Sequence, residues 1–388
     1  MLPSNSRKLL YDWRQRNRKN YKTLSWIELN RAALLDNFNF FKSTNPKLDV
    51  FPVLKANAYG HGLIEISKIL NKVNCPFLVV DGYFEANTIR FHTNHKILVL
   101  GYILPENVGS LDLKRCSFVV QDVESLEAFG RLKKPVRVHM ELNTGMNRLG
   151  LRANEIKDYL DTLKRFPSIE VEGIMSHLAD ADNYQSDAFT VMQVKKFDKM
   201  VETIKGMGFS PKYIHLAQTA GSLTVKSRYA NSFRLGIGLY GITPLSPKHP
   251  KYKQLLEIRP VLELKSTIIK VIKLNKGEKV SYGGTYTAQK AEQIGVLPLG
   301  YYEGVPRQLS NSGSVTAASK ILPIRGRVCM DHTMISLADT GLEQYDVVTV
   351  ISPKPTDPNS VSNISLKLDG FEYTILTGLS ESIRRVVV

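Results

Sequence analysis

Short apolar runs recur through the first two thirds of the chain, and polar or amphipathic segments separate them. The runs are nearly continuous rather than alternating, which is typical of parallel strands that are covered on both faces. Several of the intervening segments are long enough for helices, for example 153–165 and 187–206. The eight runs lie at 50–54, 77–80, 97–100, 118–120, 136–142, 171–176, 213–217 and 233–240. Eight strands that alternate with helices predict an α/β fold, a (β/α)8 TIM barrel, and an open doubly wound sheet is the alternative.

The pattern is different on both sides of these runs. Residues 24–29 alternate like a strand, and residues 31–42 place apolar side chains at helical spacing. Beyond three prolines near residue 250, strands and turns replace the alternation of helices and strands. The predicted strands there are 262–274, 280–287, 294–299, 321–329, 333–337 and 346–351, followed by a short helix at 363–368 and a last segment at 371–377. The C-terminal part is therefore predicted to be a mainly β domain.

A chain of 388 residues is too long for one hydrophobic core, so we expect two domains. We place the barrel at residues 31–250 and the β domain at 251–388, together with the strand at 23–30. Residues 1–22 are predicted to form a basic tail, because lysines and arginines are dense between positions 7 and 22. Such a block of like charges is most often a solvated segment.

Composition narrows the classes of function. The 52 lysines and arginines outnumber the 36 acidic residues, for a net charge of +16, but outside the tail the excess is spread along the chain. No zinc-finger spacing or aromatic RNA-binding signature accompanies it, so we expect anionic substrates or cofactors rather than nucleic acid. No run approaches the roughly 18 apolar residues of a membrane span, and no apolar segment of a secretion signal follows the N-terminus. Three scattered cysteines suit a reducing compartment, and we expect the cytoplasm.

The chemistry of a TIM barrel lies at the carboxyl ends of its strands. Lys55 follows the first apolar run, in a glycine-punctuated turn that precedes a helical pattern beginning at Leu63. A lysine at a strand end most often extends to the surface, but a desolvated, neutral amine can form an imine with a carbonyl compound. Other polar residues converge on the same predicted face: Asp81, Gln121, Glu141, Arg148, His177, Gln218, Thr219 and Arg234. This convergence favours a catalytic lysine.

Several motifs follow one another in the order that one enzyme family shows. They are Val53-Leu-Lys-Ala-Asn-Ala-Tyr-Gly-His-Gly62, Asn143-Thr-Gly-Met-Asn-Arg-Leu-Gly150, Ser176-His177 with Ala179-Asp180, Arg234-Leu-Gly-Ile-Gly-Leu-Tyr-Gly241, Val280-Ser-Tyr-Gly-Gly-Thr-Tyr-Thr287, Gly300-Tyr301, and Gly326-Arg-Val-Cys-Met-Asp331. From about residue 24 to the C-terminus, the sequence resembles the alanine racemase family of pyridoxal 5′-phosphate (PLP) enzymes. The resemblance implies a homodimeric isomerase that interconverts L-alanine and D-alanine.

The resemblance also implies a two-base mechanism in which the two subunits share each active site. Lys55 would hold PLP and act as a base on one face of the substrate α-carbon, and Tyr282 of the partner subunit would act on the opposite face. Arg234 would face the pyridine nitrogen of the cofactor, and His177 would link Arg234 to the tyrosine. Because arginine keeps its protons, Arg234 would leave that nitrogen unprotonated and the cofactor a weaker electron sink.

The remaining implied roles are in binding. The phosphate of PLP would be bound by Tyr59, Thr219, Gly236 and Ile237. The substrate carboxylate would be bound by Arg148, whose planar guanidinium suits it, and by the backbone around Met330. Tyr301, with Met330 and Asp331, would line the active-site entrance from the partner chain.

Some positions depart from the family pattern. Gln218-Thr219 replaces an Asn-Ser pair, and the C-terminal segment 379–385 is atypical, so we assign it no phosphate contact. Glu141 lies where many members carry a carbamate-modified lysine, and we hypothesise that it supplies the same negative charge to Arg148. The alternatives are a racemase of serine or of a broader range of amino acids, a PLP decarboxylase of related fold, and a cofactor-binding or regulatory protein without turnover. Cys329 lies inside a racemase-like motif, which argues against the decarboxylase.

Overall fold

The computed structural model describes residues 22–185 and 187–388, so nearly all of the predicted basic tail lies outside the described residues. Contacts divide the chain into two compact units. We call residues 31–59 and 63–259 the barrel unit, and residues 22–30, 60–62 and 260–388 the β unit. The first strand, β1 (Ser25–Leu29), belongs to the β unit.

The barrel unit contains an eight-stranded parallel sheet whose strands occur where the apolar runs predict them, with ends shifted by a few residues. The sheet order is β2-β9-β8-β7-β6-β5-β4-β3. A parallel bridge between Val53 and Val79 then brings the two ends of the sheet together. The strands are β2 (Asp49–Pro52), β3 (Phe77–Val80), β4 (Lys96–Val99), β5 (Cys116–Val120), β6 (Val136–Glu141), β7 (Ile169–Met175), β8 (Tyr213–His215) and β9 (Ser232–Leu235). The predicted TIM barrel is confirmed.

Helices alternate with these strands. The α-helices of the barrel unit are Arg31–Thr44, Leu63–Ile69, Tyr83–Ile89, Val123–Arg131, Ile156–Leu163, Ala188–Gly206 and Thr219–Thr224, and the 3-10 helices are Leu70–Lys72, Pro105–Ser110, Ile237–Tyr240 and Tyr252–Glu257. Polar residues at strand ends start two of them: Asp122 accepts a hydrogen bond from Ser125 N at 2.7 Å, and Gln218 accepts one from Gly221 N at 3.2 Å. Throughout residues 22–185 and 187–388, no helix is both long and apolar enough to cross a membrane.

An aromatic layer fills part of the barrel interior. Phe51, Phe77 and Tyr213 meet edge to face, with ring centroids 5.2–5.5 Å apart. His139 and His215 pack against the same rings and are fully buried. The interior of the barrel therefore carries polar side chains embedded in an aromatic core.

The β unit is mainly β, as predicted. Its six-stranded sheet has the order β16-β15-β18-β10-β1-β19, and smaller sheets have the orders β11-β14-β17 and β12-β13. The strands are β10 (Leu262–Thr267), β11 (Lys270–Leu274), β12 (Lys279–Val280), β13 (Tyr286–Thr287), β14 (Glu292–Leu297), β15 (Ser314–Ala317), β16 (Lys320–Pro323), β17 (Thr333–Ser336), β18 (Val347–Ile351) and β19 (Arg384–Val387). Two helices, Val361–Lys367 and Glu372–Thr377, and two 3-10 helices, Tyr282–Gly284 and Arg307–Leu309, complete the described part.

Three strand predictions in the β unit were wrong in detail. The run 321–329 is a strand only in β16, Lys320–Pro323, because Gly326 has a φ value of 76° and the chain turns there. The run 262–274 forms two strands rather than one, because Ile268 N donates to Asp346 O while Ile269 N donates to Val296 O, so the chain passes from one sheet to another. The run 280–287 is interrupted by the 3-10 turn at 282–284, because Ser281 and Gly283 have φ values of 66° and 72°. Tyr282 therefore lies on a turn and not on a strand.

Candidate active site

Lys55 opens an unusual turn at the carboxyl end of β2. The next four residues, Ala56 to Tyr59, all have left-handed φ values between 52° and 54°. Each such residue costs roughly 1–2 kcal/mol when it is not glycine, so the surrounding contacts must hold the turn. Ala58 N donates to Leu54 O at 2.8 Å, and the Asn57 side chain accepts a hydrogen bond from Leu63 N at 2.7 Å. The half-buried lysine is thus presented from a rigid, strained segment.

Tyr59, Thr219 and Gly236 form a cradle of donors on this end of the barrel. Gly236 N and Gly238 N approach Thr219 Oγ1 at 3.2 and 3.3 Å. A Cβ atom at Gly236 would lie 2.7 Å from the Tyr59 hydroxyl, so only glycine fits there. Burial raises the pKa of Tyr59 above its ordinary value, and its hydroxyl stays protonated. Hydroxyls and backbone amides suit a phosphate group, and Ile237 begins the next turn beside them.

Arg234, in β9, is anchored deep in the barrel with only 2% of its surface exposed. Its Nη1 donates to His215 Nδ1 at 2.6 Å, and its Nη2 donates to His177 Nδ1 at 3.0 Å. Both Nη groups also donate to backbone carbonyls, at distances between 2.6 and 3.1 Å. Burial lowers the pKa of Arg234 to about 10, opposed by the charge of Glu141, so the guanidinium is still cationic at neutral pH. These contacts fix its orientation.

His177 has a defined tautomer and charge. Arginine can only donate hydrogen bonds, so His177 Nδ1 must accept the one from Arg234 and Nε2 carries the proton. Burial lowers the pKa of His177 to about 3, and the positive charges of Arg234, Arg148 and Lys55 add to this effect. His177 is therefore a neutral imidazole whose Nε2–H remains as a donor.

Glu141 ends β6 and is buried, whereas Arg148, on the loop that follows, is exposed. The loop folds back on the strand, because Leu151 N donates to Glu141 O at 2.8 Å. Burial raises the pKa of Glu141, and the charges of Arg234 and Arg148 oppose that rise. The two predicted residues are thus electrostatic neighbours.

The predicted residues of the β unit gather in one loop cluster, which comprises residues 281–284, 300–302 and 329–331. Ser281 Oγ donates to Arg327 O at 2.7 Å, and Tyr301 N donates to Cys329 O at 3.0 Å. Tyr282, Tyr301 and Met330 are 72%, 44% and 53% exposed, and Asp331 is exposed as well. The structure thus brings the predicted residues of the β unit together on a solvent-facing surface.

Three buried groups close to Arg234 were not predicted from the sequence. His215 accepts its hydrogen bond, His139 contacts His215, and Glu172 faces His139. A signal was present: Arg137, His139 and Glu141 occupy alternate positions of an otherwise apolar run. In a barrel strand, alternate residues point to the interior, so this spacing indicates a polar interior.

Comparison with known proteins agrees with this picture. The family model "Alanine racemase, N-terminal domain" matches residues 29–244, and "Alanine racemase, C-terminal domain" matches residues 261–387. The alanine racemase of Helicobacter pylori strain J99 is 32% identical over 379 residues, which cover 95% of this chain and 100% of that protein.

Solved structures give the same result. The alanine racemase of Clostridium difficile 630 has a TM-score of 0.88 at 27% identity, with 95% of this chain and 97% of that chain covered. The Bartonella henselae enzyme, described as having covalently bound pyridoxal phosphate, shares the fold with a TM-score of 0.82 at 22% identity, with 95% of this chain and 100% of that chain covered. Matches to both family models over nearly the whole chain establish that this protein belongs to the alanine racemase family.

Proposed function

We propose that this member of the family interconverts L-alanine and D-alanine with PLP attached to Lys55. The observation that carries the proposal is the donor cradle of Tyr59, Thr219 and Gly236 on the same barrel end as Lys55. Hydroxyl and amide donors of this kind suit the phosphate of PLP, and the related Bartonella henselae enzyme is described with that cofactor. When bound, PLP withdraws electrons from the substrate and acidifies the α-carbon.

Lys55 serves as one of two bases in this proposal. Its amine accepts the α-proton on one face and returns a proton there in the reverse direction. Arg234 would face the cofactor ring nitrogen, and its Nη groups already donate hydrogen bonds to other groups of the barrel unit. Because a guanidinium does not give up its proton at neutral pH, Arg234 binds without protonating that nitrogen. This role limits how much negative charge the cofactor takes up.

Tyr282 of the partner subunit serves as the second base. In a single chain its ring is largely exposed, and so are its neighbours in the loop cluster. Exposed aromatic residues that gather on one loop surface are typical of a surface that a partner covers. In a homodimer Tyr282 would reach the other face of the substrate, with the Nε2–H of His177 as a hydrogen-bond donor to it.

The other residues bind the substrate. Arg148 and the backbone at Met330 hold the carboxylate of the amino acid, and Glu141 orients Arg148. Tyr301 and Asp331 line the entrance and exclude large side chains. We place the enzyme in the cytoplasm, which agrees with its three free thiols.

The test is chiral chromatography after the purified protein and PLP are incubated with single L-amino acids. We expect D-alanine to accumulate faster than D-serine or any other enantiomer. Faster formation of D-serine would move the substrate to another amino acid while keeping the mechanism. Release of an amine without the carboxylate would replace the proposal with a decarboxylase, and failure to bind PLP would overturn it.

A further inference from the structure

A polar column of four residues crosses the interior of the barrel: Arg234, His215, His139 and Glu172. Arg234 Nη1 lies 2.6 Å from His215 Nδ1, and His215 Nε2 lies 2.8 Å from His139 Nδ1. His139 Nε2 faces Glu172 Oε2 at 3.7 Å. All four side chains are buried, and both imidazoles are fully so. Polar groups so deep in a core are costly unless each has a partner.

Arg234, at one end of the column, determines which atom donates and which accepts in each of the following hydrogen bonds. A guanidinium has donors only, so His215 Nδ1 must accept and His215 Nε2 must carry a proton. That proton is donated to His139 Nδ1, which leaves the second histidine with its proton on Nε2, toward Glu172. One carboxylate at the far end therefore completes a chain in which every tautomer is determined. Burial lowers the pKa of both histidines, so both are neutral.

The barrel is built to keep this carboxylate in place. Glu172 lies where the register between β6 and β7 shifts, because Val138 pairs with Val171 while His139 pairs with Gly173. A Cβ atom at Gly173 would lie 2.3 Å from His139 Nδ1, so glycine leaves room for the ring. Such register shifts redirect a side chain, here into the barrel interior.

Three further groups support the carboxylate. Ser117 donates to Glu172 Oε2 at 2.5 Å, Lys96 lies 3.2 Å from Oε1, and Arg137 Nε lies 3.9 Å from Oε2. Lys96 begins β4 and Arg137 is second in β6, so the carboxylate lies toward the amino ends of these strands. Burial raises the pKa of Glu172, but the nearby His139 and the hydrogen bonds from Ser117 and Lys96 outweigh it and lower the pKa to about 2. It is an anion at neutral pH.

We propose that Glu172 is a positioning residue for the reaction, which orients Arg234 through His139 and His215 without contacting cofactor or substrate. The proposal rests on the proposed function, in which Arg234 faces the cofactor. Without the carboxylate, the proton on His139 Nε2 would lose the negative charge that it faces, and the His139 ring would no longer be held in line with His215. The hydrogen bond between the two histidines would weaken, and with it the orientation of the His215 ring that accepts from Arg234. A change at one end of the column is thus transmitted to the other.

The first test uses the wild-type holoenzyme with ¹⁵N-labelled histidine. At neutral pH, NMR should report neutral Nε2–H tautomers for both His139 and His215. A proton on Nδ1 of either ring, or an imidazolium, would overturn the inference. This measurement needs no turnover, so its outcome is independent of whether the protein racemises alanine.

The second test replaces Glu172 by an amide of the same shape, Glu172→Gln, with Glu170→Gln on the exposed side of the same strand as the matched control. For Glu172→Gln we expect kcat to fall about 10- to 100-fold with KM for alanine nearly unchanged, together with changed ¹⁵N chemical shifts of His139 and His215 and a shifted absorption band of bound PLP. Wild-type kcat and histidine chemical shifts in Glu172→Gln would contradict the proposal.

A third variant covers the case in which Glu172→Gln does not fold. Ser117→Ala removes one hydrogen bond to the carboxylate and leaves the charge in place. It should lower kcat several-fold and shift the same absorption band in the same direction. A folded Ser117→Ala enzyme with wild-type kcat and spectrum would argue that the column is only structural.

Discussion

In the barrel unit, Arg234 and Tyr59 are buried and His177 is largely shielded, whereas in the β unit Tyr282, Tyr301 and Met330 extend into solvent. The barrel residues are held by hydrogen bonds from strands of their own chain. The residues of the loop cluster lie on turns, and their rings are largely exposed. In the proposed function, this difference corresponds to a cofactor site that one chain preorganises by itself and a loop cluster that a second copy of the chain covers.

The largest effect is expected at Lys55, the proposed attachment point of PLP in the barrel unit. Lys55→Ala should abolish racemisation, by at least about 10⁴-fold, because it removes both the attachment point of PLP and one base. Desalting followed by absorption spectroscopy should show that PLP is no longer retained. Lys72→Ala, an exposed lysine of the same unit, is the control. Retained covalent cofactor in Lys55→Ala would assign the attachment to another residue.

The next largest effect is expected at Tyr282, in the exposed loop cluster of the β unit. Tyr282→Phe should retain PLP but lose about 10²- to 10⁴-fold in racemisation, because the phenol carries the second proton. Chiral chromatography measures the loss, and Tyr302→Phe on the neighbouring exposed position is the control. Wild-type turnover in Tyr282→Phe would exclude the two-base assignment.

Mixing the two inactive variants tests whether the site is shared. A mixed dimer of Lys55→Ala and Tyr282→Phe chains contains one intact site, with Lys55 from one chain and Tyr282 from the other. After subunit exchange we expect about a quarter of wild-type activity to return. If mixed dimers form and no activity returns, both bases belong to one chain and the comparison fails.

Acid should destabilise the barrel unit through its buried histidines. His139, His177 and His215 have pKa values below the ordinary 6.5, so above pH 6.5 they add no pH dependence to the unfolding free energy. Below pH 6.5 the unfolded chain binds protons that the folded chain does not, and stability falls by about 1.4 kcal/mol per pH unit for each histidine. For His177 the fall continues to about pH 3.

Urea denaturation monitored by circular dichroism at pH 7.5 and 5.5 measures this slope. Replacement of an exposed histidine, His332→Gln, should leave it unchanged. An unfolding free energy that is equal at the two pH values would mean that the buried imidazoles are charged in the folded state.

The smallest effect is expected at Glu141, the buried residue of the barrel unit that we propose to orient Arg148. Glu141→Gln should raise KM for alanine several-fold with little change in kcat, because Arg148 loses a nearby negative charge. Steady-state kinetics with Glu170→Gln as the control measure the change. An unaltered KM would remove Glu141 from substrate binding.

Sequence patterns predicted much of the barrel because each buried strand leaves a nearly continuous apolar run. They also placed Lys55 and Thr219 at strand ends, where the structure has them. They did not predict the left-handed turn after Lys55, since alanine gives no local signal for positive φ. The alternate polar positions in β6 indicate a polar interior, but the partners of His139 lie on other strands, at His215 and Glu172, so the spacing along one strand does not show which residues it contacts.

The β unit was less predictable, because its strands are short and their partners are distant in sequence. The last strand, β19, pairs in parallel with β1 across more than three hundred residues, and nothing local indicates that partnership. Tyr282 was placed on a strand because Val280 and Tyr286 favour one, yet Ser281 and the following glycines turn the chain. The backbone geometry of the turn, and not the β propensity of the neighbouring residues, determines the conformation at Tyr282.

The position of β1 limits how this protein can be divided. β1 lies between β10 and β19 in the six-stranded sheet, although it precedes the whole barrel in the chain. A recombinant fragment of residues 260–388 would lack this strand and would expose two unpaired strand edges, which invite aggregation. The β unit therefore cannot be exchanged between proteins as one continuous segment of sequence. Any transplant or circular permutation of the β unit must carry residues 25–29 with it.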